Sequence, residues 1–221
     1  MEFINRAQVE LAEGLRSIMN EPRNGVADYH YNYARYINNT LHSFLVLCGA
    51  NEVESARILI RPALEVALRL EALRQFPETM VQIARWEHDE NKKAANALKP
   101  EEKAATDAIF AEYWVDFLRA YRISYPNHQI NESPLSAHDA ARITGILNIH
   151  DLYYRFYCRY SHGAMSTLLG HWDDFADQDA NVAGHCLMVA VAAISDLGAS
   201  LPNKESLEKE YLSFRAPPAS T

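Results

Sequence analysis

Arg155 and His162 stand seven positions apart in the stretch Asp151-Leu152-Tyr153-Tyr154-Arg155-Phe156-Tyr157-Cys158-Arg159-Tyr160-Ser161-His162-Gly163. On a helix turning about 100° per residue, seven positions return to nearly the same face, about two turns further on. Asp151, Arg155, Arg159 and His162 then share one side, and Tyr153, Phe156, Tyr157 and Tyr160 share the other. The stretch reads as one amphipathic helix. An aromatic wall anchors it, and a guanidinium and an imidazole project in line. Metal-independent RNA cleavage needs those two groups. An imidazole titrates near neutral pH and can take the proton of a 2′-hydroxyl, and a guanidinium holds phosphate with a planar fork. On that reading His162 is the base or acid, Arg155 the phosphate ligand and Arg159 a further phosphate contact. The structural reading of the same residues pairs Arg155 with Asp151 one turn back and leaves Arg159 as a solvated charge. His162 then sits at the helix C-terminus, where the dipole favours a cation.

A second polar constellation lies in Ile58-Leu59-Ile60-Arg61-Pro62-Ala63-Leu64-Glu65-Val66-Ala67-Leu68-Arg69-Leu70, which is apolar nearly all round. Arg57, Arg61, Glu65 and Arg69 interrupt the apolar surface at four-residue steps, forming one slanting row. A lone buried charge is costly, so such charges pair or face a cavity. Arg61 and Glu65 are the expected buried pair. Either that pair fixes helix packing, or it faces His162 across the bundle. In the second case Arg61 holds an anion and Glu65 orients or charges the imidazole. Cys158 lies one turn before His162 and beside two arginines, which makes it the cysteine with the most reactive setting.

The elements that must position these groups are almost all helical. Phe3, Ile4, Ala7, Leu11, Leu15 and Ile18 keep helical spacing until Pro22 and Gly25 break it. Further helices are expected over 27–48, 52–75 with Pro62 inside, 79–98, from Pro100 onward, and 181–201 as an Ala- and Val-rich buried helix. Ser124 to Pro134 is the best loop. Ser136 is a suitable N-cap for the helix that carries the Arg155–His162 motif, and Asp139 suits its first turn. A polar helix over 204–214 closes the domain. Residues 1–215 are expected to form a single domain, and 216–221 a disordered tail. The architecture is all-α, a bundle of about seven or eight helices.

Composition narrows the function. The 221 residues are 48% hydrophobic, enough for one substantial core. The net charge of -8 gives no global attraction for phosphate backbones, so nucleic-acid binding needs a local basic patch. Cys48, Cys158 and Cys186 are far apart and odd in number, so a reduced, cytoplasmic protein is expected. Met1 is followed by no basic start and apolar run, and the apolar run Cys186 to Ile194 is too short for a bilayer, so no membrane partner is expected. Glu87-His88-Asp89-Glu90 offers ligand-type residues that point in different directions around a helix. His171, Asp173, Asp174, Asp177 and Asp179 read as a solvated acidic turn. With no H-E-x-x-H, Walker loop, dinucleotide fingerprint or Gly-x-Ser-x-Gly, no metal and no cofactor is expected.

Two resemblances follow from these motifs. Arg61-Pro62-Ala63-Leu64-Glu65 and the later Tyr154, Cys158 and His162 resemble an uncharacterised, mostly bacterial all-α family with the pattern Arg-x-x-x-Glu and Tyr-x-x-x-Ser-x-x-x-His. Cys158 stands at the serine position. The similarity spans roughly Leu45 to Leu169 and implies a fold and a shared polar cluster of Arg61, Glu65, Tyr154, Cys158 and His162. More loosely, Arg155 and His162 with six residues between them resemble the motif of HEPN domains, which is Arg, four to six residues, then His. Phe156 follows the arginine where a polar residue is usual. Many HEPN proteins are RNA-cleaving toxins or phage-defence effectors. That resemblance implies RNA as partner, a homodimer in which two motifs share one cleft, and a role in bacterial stress or phage defence. Two other expectations stay open. One is a non-catalytic interaction protein of unknown partner, in which the Arg61, Glu65, Tyr154, Cys158 and His162 cluster is a polar lock. The other is a small anionic ligand held by Arg61 and Arg155.

Overall fold

Phe3, Ile4, Ala7, Leu11 and Leu15 recur at helical spacing, and all are buried on one side of helix α1 (Glu2–Ser17). The computed structural model describes residues 1–154, 156–158 and 176–215. The same logic of apolar spacing builds α2 (Val26–Gly49), α3 (Val53–Gln75), α4 (Met80–Ala95), α5 (Pro100–Ser124), α6 (Ala137–Ile143), α7 (Ala176–Asp196) and α8 (Lys204–Arg215). Among the described residues there is no strand. The all-α expectation holds.

Helix α3 is the centre of the bundle. It packs on α2, α6 and α7, and α7 in turn packs on α1, α2 and α8. Ile60, Ala63, Leu64, Ala67, Leu68 and Leu70 of α3 are fully buried, as are Leu187, Ala190, Val191 and Ile194 of α7. Gly14 permits the close crossing of α1 over α7, because a Cβ there would come within 2.6 Å of both Ile194 and Leu201 side-chain carbons. Helix α3 runs unbroken through Pro62. Proline has no N–H, so the carbonyl of Ile58 loses its intrahelical partner there. Helices α4 and α5 pair with each other. The buried Glu10 carboxylate accepts the backbone N–H of Asn203 at 2.8 Å and its Nδ2 at 2.9 Å, which ties α1 to the start of α8.

Several boundaries differ from expectation: α4 ends at Ala95 rather than 98, and α7 begins at Ala176 rather than 181. Ser136 does cap α6, accepting the Asp139 backbone N–H at 3.0 Å. The helix it starts does not carry the motif, however. It stops at Gly145, whose φ is +74°. There the N–H groups of Gly145 and Ile146 turn back to the carbonyls of Arg142 and Ala141 at 3.3 and 2.9 Å. A short helical turn (Leu147–Ile149) and a wide π-turn (His150–Tyr154) follow instead. Gly198 closes α7 in the same way as Gly145 closes α6, before Pro202 is reached.

No helix among the described residues is long and apolar enough to cross a membrane. Residues 216–221, expected as a tail, lie outside the described residues.

Candidate functional site

The four charges of the Arg57, Arg61, Glu65 and Arg69 row on α3 fall into three settings. Arg69 is 2% exposed. Its Nη2 donates to Glu65 Oε1 at 3.0 Å, its Nε donates to the carbonyl of Leu135 at 3.1 Å, and its guanidinium carbon lies 3.5 Å from the Trp86 ring centroid. Arg57 is 4% exposed, and its Nε donates to Asp179 Oδ2 at 2.7 Å. Tyr157, also buried, donates its hydroxyl to the other oxygen of Asp179. Arg61 is only partly covered and takes no carboxylate among the described residues.

The expected Arg61–Glu65 pair is therefore corrected to Glu65–Arg69. Four-residue spacing offers Glu65 a cation on either side. The order with the acid N-terminal to the cation is the better one on a helix. Arg69 is also the more deeply buried of the two, and a buried cation most needs a counter-charge.

The second half of the cluster comes from the π-turn. Such a turn is one residue wider than an α-turn and re-aims the side chains it carries. It sets the Tyr154 hydroxyl beside Glu65, donating to Oε2 at 3.4 Å, and Arg61 Nη2 donates to the same hydroxyl at 3.5 Å. The Arg61 guanidinium carbon lies 5.5 Å from the Tyr154 ring centroid. Burial raises the Tyr154 phenol above its ordinary pKa, so it remains a neutral donor. The hydroxyl in turn raises the guanidinium pKa, so Arg61 keeps its charge throughout. Behind Tyr154, the His150 ring stacks at 4.7 Å, and His138 meets His150 edge-on at 5.1 Å. Cys158 lies within electrostatic reach of both Arg61 and Tyr154.

The structure thus brings together Arg61, Glu65, Tyr154 and Cys158, all proposed from sequence. It adds Arg69, which the sequence reading gave no role of its own. Arg155, Arg159 and His162, and with them the aromatic Tyr160, lie outside the described residues. So do His171, Asp173 and Asp174 of the acidic stretch. Asp179 is a correction. It is 4% exposed in the first turn of α7 and holds Arg57, rather than lying in a solvated turn. The only sequence signal for this was the position of Arg57 at the head of the polar row.

Other candidate chemistry disperses. Asp89 pairs with Arg85 at 3.1 Å and Glu90 with Lys93 at 2.6 Å, while His88 is buried against Phe110 and Trp114. Among the described residues no three His, Cys, Asp or Glu side chains gather as a metal site. Burial pushes the thiols of Cys48 and Cys186 up, away from reactivity.

Chemically, two guanidiniums here face one carboxylate, and Arg69 has claimed that carboxylate. Arg61 is left with a solvent-reaching guanidinium and a buried Nε that has no hydrogen-bond partner among the described residues. The arrangement can accept an oxyanion.

Residues 30–180 match a family of unknown function, DUF5677. That span holds α3, the π-turn, Cys158 and Asp179. No curated protein and no solved structure matches the chain.

Proposed function

The chain belongs to DUF5677, a family of unknown function, and we propose that its polar cluster serves a phosphate-bearing ligand, RNA. The observation that carries this is Arg61. Its charge is not spent on Glu65, its Nε–H has no partner among the described residues, and Tyr154 braces its guanidinium. In an acidic chain such a local cation is what phosphate binding requires.

The finer reading is HEPN-like cleavage without a metal. His162 takes the proton of a 2′-hydroxyl, whose oxygen attacks the adjacent phosphorus. Arg155 offsets the negative charge that builds on the phosphate, with Arg61 and Arg159 as further phosphate contacts. The bond to the 5′-oxygen breaks, and that oxygen receives a proton from the imidazolium. Glu65, Tyr154 and Cys158 line the approach. Two copies pairing through the motif helix bring two such sets to one cleft, in keeping with a role in bacterial stress or phage defence. The test is incubation of the purified protein and His162→Ala with cellular RNA in the presence of a chelator. The wild type cleaves, and the variant is slower by about a hundredfold or more. Equal cleavage, or none from either, overturns the catalytic reading.

A second reading has its own support. Both oxygens of Glu65 are engaged, by Arg69 and Tyr154, and Asp179 is engaged by Arg57 and Tyr157. Such contacts lock Tyr154 to α3 and Tyr157 to α7. A non-catalytic interaction protein needs no more than that lock.

A further inference from the structure

A groove of about 520 Å³ opens between α2, α4 and α5, well within the size range of small-molecule sites. Its walls are aromatic. Tyr29 and Tyr33 of α2 meet edge to face with centroids 5.7 Å apart, forming a corner. Opposite them, Tyr113, Phe117 and Tyr121 follow one another at four-residue steps along α5, and Tyr125 closes the end at 5.0 Å from Tyr121. Glu87 of α4 supplies the charge of the groove. The Tyr33 hydroxyl donates to its Oε1, and the Tyr29 hydroxyl donates to its Oε2 at 3.3 Å. Asp28 adds a second carboxylate, and among the described residues no lysine or arginine lines the groove.

Each nearby positive feature is already answered. The start of α2 carries the positive end of a helix dipole, but the Val26 N–H is covered by the Tyr125 hydroxyl at 3.3 Å, and Asp28 sits in that first turn. Arg69, the cation felt by Tyr33, is bound to Glu65. Burial, and then the Glu87 carboxylate, push the phenols of Tyr29 and Tyr33 above their ordinary value. The phenols stay protonated, so the negative charge rests on Glu87.

We infer that this groove binds a small quaternary ammonium cation. Ring faces are negative and attract a cation set within about 6 Å of their centroids, and the half-buried Glu87 carboxylate adds a counter-charge. The class follows from the polar groups present. Six of the lining residues are aromatic, against Asn24, Asn32 and Ser124 as neutral polar groups, so ring faces predominate on the walls. Methylated nitrogen, which presents only C–H groups, suits such walls better than a primary ammonium with three N–H donors to satisfy. The inference stands apart from the RNA reading, since the groove shares no residue with the Arg61 cluster.

The test is calorimetric titration of the full chain with choline, with its neutral isostere 3,3-dimethylbutan-1-ol, and with ethanolamine. Choline is expected to bind saturably at up to millimolar concentration, and each of the other two about tenfold more weakly or not at all. Glu87→Gln and Tyr113→Ala should each weaken choline by about fivefold to tenfold. Tyr113 is 60% exposed, so its removal leaves the fold intact even if Glu87→Gln does not. Absence of choline binding, equal binding of either competitor, or unchanged binding in Tyr113→Ala overturns the inference.

Discussion

Arg57 and Asp179 lie 122 residues apart in the chain, yet Arg57 Nε stands 2.7 Å from Asp179 Oδ2 with both side chains almost wholly buried. Tyr157 donates to the other oxygen of the same carboxylate. One buried anion therefore ties α3 to α7 and to the segment just before the undescribed part of the motif. Removing the carboxylate from such a set takes the Asp179 counter-charge from a buried guanidinium. Asp179→Ala should lose about 3–5 kcal/mol of stability in chemical denaturation, and Tyr157→Phe about 1 kcal/mol. A denaturation midpoint for Asp179→Ala equal to that of the wild type would show that the pair does not hold the helices.

Glu65 and Arg61 should contribute unequally to stability. Glu65→Ala leaves Arg69, 2% exposed, without its counter-charge, and should cost about 2–4 kcal/mol. Arg61→Ala removes a partly solvated side chain whose one hydrogen bond among the described residues is a long one to Tyr154, and should cost about 1 kcal/mol or less. Thermal melts of the two variants side by side give the answer. A larger loss for Arg61→Ala would restore the Arg61–Glu65 pairing that spacing alone suggested.

His30 predicts a pH effect. It is 7% exposed, and its Nε2 has no hydrogen-bond partner among the described residues. Burial lowers its pKa, with Arg74 lowering it further and Asp196 opposing. The unfolded chain therefore takes up this proton first as pH falls below about 6.5. The stability contribution is full above that value and is lost as pH drops through the folded pKa. Melting temperature should fall between about pH 7 and about pH 5.5, and His30→Leu should flatten that slope. An unchanged slope in His30→Leu would assign the effect to other groups.

Local patterns proved the legible part of the sequence. Phe3, Leu11 and Leu15 announce α1 by spacing, and Ser136 announces the start of α6 by its side-chain chemistry. The bundle needs no more than such signals. Choices between equal local options were not legible. Glu65 has an arginine four residues away on either side, and burial decides between them. Thr144-Gly145 could be passed through or used as a stop, and the left-handed Gly145 makes it a stop. Asp179 at the head of an apolar helix looks like a solvated charge until Arg57 arrives from α3. The aromatic groove was written in the four-residue steps of Tyr113, Phe117 and Tyr121, but its other wall belongs to α2, and only tertiary packing joins the two.

The central claim is that Arg61 is a cation left available for phosphate. Fluorescence-anisotropy titration of a short labelled single-stranded RNA, with wild type and Arg61→Ala across a salt series, tests it most directly. The account predicts that Arg61→Ala binds about tenfold more weakly or worse, with the salt slope reduced by about one, and melts close to the wild type. Equal affinity and equal salt slope in a folded Arg61→Ala would contradict it.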